Sequence, residues 1–189
     1  NKSLKNKKII ISAGASGIGL AAVQVGILSR IVVIDTSKDD NKKNPIVFIN
    51  PKIINKSKKT VTNEEGCLSI PGYYGEVERH DTCEIEYEDI SGFKKTIDAD
   101  GILSRCIQHE IDHCNGVLFI DHLSKLKRVF IIKLFCSAKI WTGHFKFFCP
   151  LSAFLGGWEI THLILKFLCI SLKAGTENSG VPIKIIFVD

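Results

Sequence analysis

The sequence contains no methionine, and position 1 is Asn. Average usage would place about four methionines in a chain of this length. Two explanations stay open for this absence: a chain that lacks its natural start, or processing and chance. The 189 residues are enough for one domain by the usual length range.

Several other features are missing, and each absence excludes a class of protein. The seven cysteines are odd in number and form no Cys-x-x-Cys pair, which argues against a disulfide framework and favours a reducing compartment. No secretory signal and no internal repeat are visible. Charged residues interrupt every apolar stretch before the roughly 18 residues that a spanning helix needs, so we expect no membrane span.

The charge is modest and comes mainly from lysine. Lysine and arginine number 25 against 20 acidic residues, a formal net charge of +5. No RNA-binding motif with interleaved aromatic residues accompanies the lysines, so solvated lysine faces and no DNA partner are expected. Apolar residues at 45% and charged residues at 24% are ordinary for a globular protein and exclude collagen-like and disordered chains.

Short-range patterns predict both strands and helices. Strands are expected at residues 7–11, 30–35 and 83–88, the last alternating polar and apolar residues, with a Ser91-Gly92 turn leading to a partner strand at 93–97. Helical spacing of apolar residues predicts a helix over 101–115, capped by Asp98 or Asp100 and ended by Asn115-Gly116. A second, basic helix is expected at 123–135.

The character of the chain changes near residue 129. No acidic residue lies between Asp121 and Glu159, while phenylalanine recurs without clean periodicity. We therefore divide the chain into residues 1–128 and an atypical hydrophobic and basic tail of unknown structure, 129–189.

The strongest chemical signal is the segment Gln-His-Glu-Ile-Asp-His at 108–113. His109 and His113 are four residues apart, so a helix places both imidazoles on one face, where they can bind one metal ion. Glu110 beside them can act as a general base toward water. A third ligand is needed, and Cys67 in the segment Glu-Gly-Cys-Leu-Ser offers a thiolate suited to Fe(II) or Zn(II). The other candidates lie downstream and none has the spacing of the common zinc proteases: Asp121, His122, His144, Glu159 and His162.

Three segments in order carry a family resemblance. They are Gly-Ile-Gly-Leu-Ala-Ala-Val-Gln at 17–24, Glu-Gly-Cys-Leu-Ser at 65–69, and Gln-His-Glu-Ile-Asp-His at 108–113 followed by Asn-Gly. Together they resemble the three signature motifs of peptide deformylases, and the resemblance covers residues 17–128. It implies an α+β fold with antiparallel sheets around a central helix that carries the His-Glu-x-x-His motif.

The resemblance also implies an enzyme of protein biosynthesis. Such an enzyme is a metal-dependent hydrolase that removes the N-formyl group from the terminal formyl-methionine of new proteins. Cys67, His109 and His113 would bind the metal, Fe(II) first and Zn(II) as the alternative. Formyl-methionyl nascent peptides would be the partners, with a transient ribosome contact, in the bacterial cytoplasm or an organelle.

Other roles follow from the same resemblance. Glu110 would take a proton from the attacking water and return it to the leaving amine, and Gln24 and the Leu68 backbone N–H would donate to the oxyanion. Backbone groups of Gly17, Ile18 and Gly19 would pair with the substrate peptide. Two further expectations are an Arg79–Glu65 pair behind the site and Ile107 in the wall of a pocket for the methionine side chain.

Two alternatives remain at this point. Residues 8–19 followed by Asp35 resemble the opening of a short-chain dehydrogenase, which would bind NAD(P) on a parallel sheet. However, the glycine spacing is one residue short and no Tyr-x-x-x-Lys pair follows. The other alternative is an inactive deformylase-like remnant, because the usual N-terminal section of the family is not recognisable before Gly17 and residues 129–189 look unrelated to the family.

Overall fold

The computed structural model describes residues 8–10, 19–37, 44–141 and 186–188. The strands are β1 (Lys8–Ile10), β2 (Gly19–Ala21), β3 (Ile31–Ile34), β4 (Ile46–Lys56), β5 (Thr60–Cys67), β6 (Ile70–His80), β7 (Thr82–Glu88), β8 (Lys94–Asp100) and β9 (Ile186–Val188), and the helices are α1 (Gly101–Cys114) and α2 (Lys125–Trp141). Two short 3₁₀ helices, Ala22–Val25 and Phe119–His122, complete the described elements. None of the described helices is long and apolar enough to cross a membrane.

The strands form three antiparallel groups. The largest is a five-stranded sheet in the order β2-β3-β4-β7-β8, and β5 with β6 forms a long hairpin. A third pair joins β1 to β9. Every strand pair in the described part of the chain is antiparallel, whereas the dehydrogenase alternative requires a parallel sheet. That alternative is therefore wrong, and the predicted α+β class with antiparallel sheets is confirmed.

α1 packs across the five-stranded sheet and forms the main core with it. Buried aliphatic and aromatic side chains from both layers meet there, among them Val32, Phe48, Ile85, Ile107 and Ile111. Their removal from water is the main stabilising term of this layer, at about 25 cal/mol per Å² of apolar surface. The position of α1 relative to the sheet is thus set by packing, which fixes the helix that carries the two histidines.

Local signals explain where α1 begins and ends. β8 runs directly into the helix at Gly101, which has a positive φ of 47°. Of the two predicted capping residues, Asp100 occupies the N-cap position, but its side chain makes no capping hydrogen bond within the described residues. The helix ends at Cys114, and Gly116 then takes a left-handed conformation with φ 76°, as the Asn-Gly stop predicts.

A second apolar cluster lies between the β5–β6 hairpin and the segments that follow α1. Ile70 and Val77 of β6 pack with Leu118, Phe119 and Ile120, and Ile131 of α2 closes the cluster. α2 begins two residues later than expected and continues to Trp141. It therefore crosses the proposed boundary at residue 128.

Candidate metal centre

Three metal-binding side chains converge where the hairpin meets α1. Cys67 is the last residue of β5, while His109 and His113 lie one turn apart on α1. Cys67 Sγ is 3.2 Å from His113 Nε2, which is 3.1 Å from His109 Nε2. One donor atom from each residue lies within 4.8 Å of the other two, a spacing that allows one ion to contact all three.

The chemistry of this donor set fits a divalent transition metal. One thiolate and two imidazoles are ligands that Zn(II) and Fe(II) accept, and three protein ligands leave a coordination position for a reactant. Burial raises the pKa of Cys67, but hydrogen bonds from His109 and His113 outweigh it and lower the pKa to about 5. The sulfur is therefore held as the thiolate, which is the form that binds metals.

Behind the histidines lies a buried network of charges. Glu65 Oε2 is 3.0 Å from His109 Nδ1, and the two carboxylate oxygens of Glu65 also accept hydrogen bonds of 2.9 and 3.0 Å from Arg79. Arg79 reaches Asp112 on α1 as well, and His122 Nε2 lies 2.8 Å from the same Asp112 oxygen. The predicted Arg79–Glu65 pair is present, and it connects the hairpin to the helix through His109.

Gln108 fastens α1 to the end of β6. Its side-chain oxygen accepts a hydrogen bond of 3.1 Å from the His80 N–H, and its amide nitrogen donates to the His80 carbonyl at 2.9 Å. Ser104, one turn earlier, donates to the same carbonyl at 3.0 Å. These bonds hold the helix face that carries His109 and His113 against the hairpin that carries Cys67.

Glu110 is a buried carboxylate facing the same space. The residue is 5% exposed, and among the described residues its Oε2 has no hydrogen-bond partner. Burial raises the pKa of Glu110 above its usual value, although the nearby histidines oppose the shift. A carboxylate with a raised pKa and a free oxygen is suited to accept and return a proton.

Gln24 and Ser69 lie on the other side of Cys67. The Gln24 side-chain oxygen accepts a hydrogen bond of 2.8 Å from the Ala21 N–H, which fixes the orientation of the amide. Its nitrogen donates to Ser69 Oγ at 3.1 Å and lies 3.6 Å from Cys67 Sγ. Ser69 was not predicted as a site residue, since a serine in a five-residue motif gives no sign of which side chain it will contact.

A cleft of about 550 Å³ opens over these groups. Its lining includes predicted site residues from all three motifs: Gly19, Gln24, Cys67, Leu68, His109 and Glu110. Gly17 and Ile18 lie outside the described residues. Ile107 is fully buried in the core between α1 and the sheet, so its predicted place in the wall is wrong; Ile102 and Cys106 line the cleft instead.

Comparison with known proteins gives the same assignment. A family model for polypeptide deformylase matches residues 4–129. The peptide deformylase of Rhizobium meliloti is 52% identical over 124 residues, which cover 66% of this chain and 71% of that protein. The enzyme of Pelagibacter ubique is 56% identical over 119 residues, covering 63% and 69%.

Solved structures agree in fold. A peptide deformylase from Ehrlichia chaffeensis superposes with a TM-score of 0.61 at 40% identity, covering 67% of this chain and 75% of that one. A deformylase from Synechococcus elongatus in complex with actinonin gives 0.59 at 48% identity, covering 63% and 65%. From sequence, fold and converging residues alike, the chain belongs to the polypeptide deformylase family of metal-dependent hydrolases, which remove the N-formyl group from nascent proteins.

Proposed function

We propose that this chain hydrolyses formyl-methionyl peptides with a metal held by Cys67, His109 and His113. The observation that carries the proposal is the convergence of these three donor atoms in a cleft beside the buried Glu110 carboxylate. Fe(II) is the proposed metal and Zn(II) the alternative, since both accept a thiolate with two imidazoles. When bound, the metal supplies Lewis-acid polarisation of the formyl carbonyl and activates water.

Glu110 carries the proton in this mechanism. Water adds to the formyl carbon while one of its protons passes to the Glu110 carboxylate. The C–N bond then breaks, the proton moves from Glu110 to the leaving amine, and formate and the free N-terminus remain. The raised pKa that burial gives Glu110 supports this exchange, because a positioned base works best when its pKa is near the working pH.

Gln24 and Leu68 are proposed to stabilise the oxyanion that forms on addition of water. Gln24 presents a fixed amide nitrogen near Cys67, because the Ala21 N–H holds its oxygen. Leu68 follows Cys67 directly and lines the cleft, so its backbone N–H is available at the same edge. Donors that are already oriented lower the barrier because they need no reorganisation during the reaction.

The peptide is proposed to bind along β2. Within the described residues β2 pairs only with β3, so its other edge is available for an added strand. Gly19 would contribute backbone groups there, together with Gly17 and Ile18. Ile102 and Cys106 offer apolar surface in the cleft for the methionine side chain.

The proposed cellular location follows from the proposed substrate. Formyl-methionyl chains emerge from ribosomes in the bacterial cytoplasm or in organelles, so we place the protein there, with a transient ribosome contact. Residues 1–128 are proposed as the catalytic unit and residues 129–189 as an atypical tail, the first part of which continues α2 and packs Ile131 into the second apolar cluster.

The test is turnover of a formyl-Met peptide by protein reconstituted with Fe(II) and kept anaerobic. Wild type is expected to release formate with about one metal per chain, and Glu110→Ala to keep the metal and lose turnover. Wild type that holds metal without turnover would favour the inactive remnant. Metal retained by Cys67→Ala, His109→Ala and His113→Ala alike would overturn the ligand assignment.

A further inference from the structure

The Glu110 side chain packs so closely against Gly19 that any larger residue at position 19 would overlap with it. A Cβ atom on Gly19 would lie 2.6 Å from Glu110 Oε1 and 2.9 Å from its Cγ. Favourable contacts between carbon atoms occur at about 3.5–4.0 Å, so the added atom and the carboxylate would overlap. The space in which a side chain of residue 19 would stand is already filled by Glu110.

The backbone of Gly19 does not itself require glycine. Gly19 is a strand residue paired with Ile34, and it is not among the described glycines with positive φ, which are Gly26, Gly72, Gly92, Gly101 and Gly116. An L-residue can adopt the strand conformation without strain. The requirement for glycine at this position therefore comes from space, and the space is that of Glu110.

Glu110 has little room to move away. Its side chain is only 5% exposed, and α1 packs directly on β2. A methyl group at position 19 must either push the carboxylate out of its place or separate β2 from α1. The first change alters the position of the carboxylate relative to the three donor atoms of Cys67, His109 and His113. The second moves β2 and leaves Glu110 beside the two histidines on α1.

We infer that Gly19 is a positioning residue: because it has no side chain, the Glu110 carboxylate can occupy its observed position beside β2. The role is separate from the backbone pairing with substrate proposed for Gly19, because Gly19→Ala keeps both backbone groups. The effect on turnover rests on the proposed function; the effect on packing does not.

The kinetic test compares wild type with Gly19→Ala, both loaded with Fe(II). We expect kcat to fall about 100-fold, as a displacement near 1 Å can cost. KM should change less than about threefold and metal content should stay at the wild-type value, since displacement of the carboxylate alters neither the ligands nor the peptide-binding backbone. A raised KM with an unchanged kcat would mean that β2 has moved instead, and would overturn the inference.

The packing test does not depend on activity. Thermal unfolding is measured for wild type, Gly19→Ala, Glu110→Ala and the double variant, all without metal. Overlap with Glu110 should lower the Tm of Gly19→Ala by about 2–10 °C, and the loss should vanish when Glu110 is already alanine.

Gly75→Ala is the matched control. A Cβ there would lie 2.8 Å from Leu123, which packs against the second apolar cluster, so the overlap is comparable. It should lower the Tm with and without the Glu110 side chain and leave kcat near the wild-type value. If wild type is inactive, the proposed function fails, and the unfolding cycle alone decides the inference. Equal Tm losses for Gly19→Ala in both backgrounds, or an unchanged kcat in an active enzyme, would overturn it.

Discussion

Glu65 fixes which nitrogen of His109 faces the metal-binding space. Burial raises the pKa of Glu65, but hydrogen bonds from His109 and Arg79 outweigh it and lower the pKa to about 2. A carboxylate only accepts hydrogen bonds, so His109 donates its Nδ1–H to Glu65 across 3.0 Å. His109 Nε2 therefore faces the metal-binding space, where it lies 3.1 Å from His113 Nε2.

Glu65→Gln should therefore weaken metal binding. The neutral amide of glutamine is a weaker acceptor for His109 Nδ1–H. Its NH₂ group would also replace one of the two oxygens that accept hydrogen bonds from Arg79. Loss of such a supporting partner costs about 10- to 100-fold in metal affinity. Competition with a chromogenic chelator measures the metal dissociation constant. Glu76→Gln, an exposed residue of the same hairpin, should bind as wild type does. Equal affinities for both variants would refute the role of Glu65.

Arg79→Met should destabilise the protein strongly. The Arg79 side chain is 4% exposed and contacts both Glu65 and Asp112, so its loss removes the guanidinium that the two carboxylates share. Breaking a buried pair costs about 3–5 kcal/mol. The free energy of unfolding in urea, measured without metal, is the readout.

Lys59→Met is the control for Arg79→Met. Lys59 pairs with Asp81 at the surface, where an ion pair is worth about 0–1 kcal/mol. If the two variants lost comparable free energies of unfolding, the buried network would contribute no more to stability than a surface ion pair does.

The sequence predicted the parts of the site that depend on local spacing. The i, i+4 relation of His109 and His113 places them on one helix face whatever the rest of the chain does. The Asn-Gly stop after α1 likewise acts through its own backbone. Cys67 lies 46 residues from His113, and only the family motif pointed to their meeting.

The parts that were missed depend on tertiary contacts. Residues 60–67 are polar and show little apolar alternation, and they form β5 because they pair with β6 over its length. The contacts of Arg79 with Asp112 and His122 join residues 33 and 43 positions apart. Ile107 was misplaced because apolar character alone does not fix the rotation of a helix, which turns Ile107 to the core and Cys106 to the cleft.

Gln24→Ala should lower kcat about 100-fold or more while the metal stays bound, as loss of an oxyanion donor does. Ser69→Ala removes only the acceptor of Gln24 Nε2, and the Ala21 N–H still orients the amide, so its kcat should fall less than about tenfold. Steady-state kinetics with metal analysis on each variant separates the two. A Gln24→Ala kcat within a few fold of wild type would remove Gln24 from the mechanism.

Removal of the metal should lower the stability of wild type, and this loss should require the three ligands Cys67, His109 and His113. A metal that binds the folded state at 100 times its dissociation constant contributes about 2.7 kcal/mol, or about 5–10 °C in Tm for a chain of this size. Thermal unfolding with and without a chelator measures the shift. Cys67→Ala lacks the thiolate that joins β5 to α1, so the chelator should leave its Tm almost unchanged. A chelator shift in Cys67→Ala as large as in wild type would mean that the stabilising metal binds elsewhere.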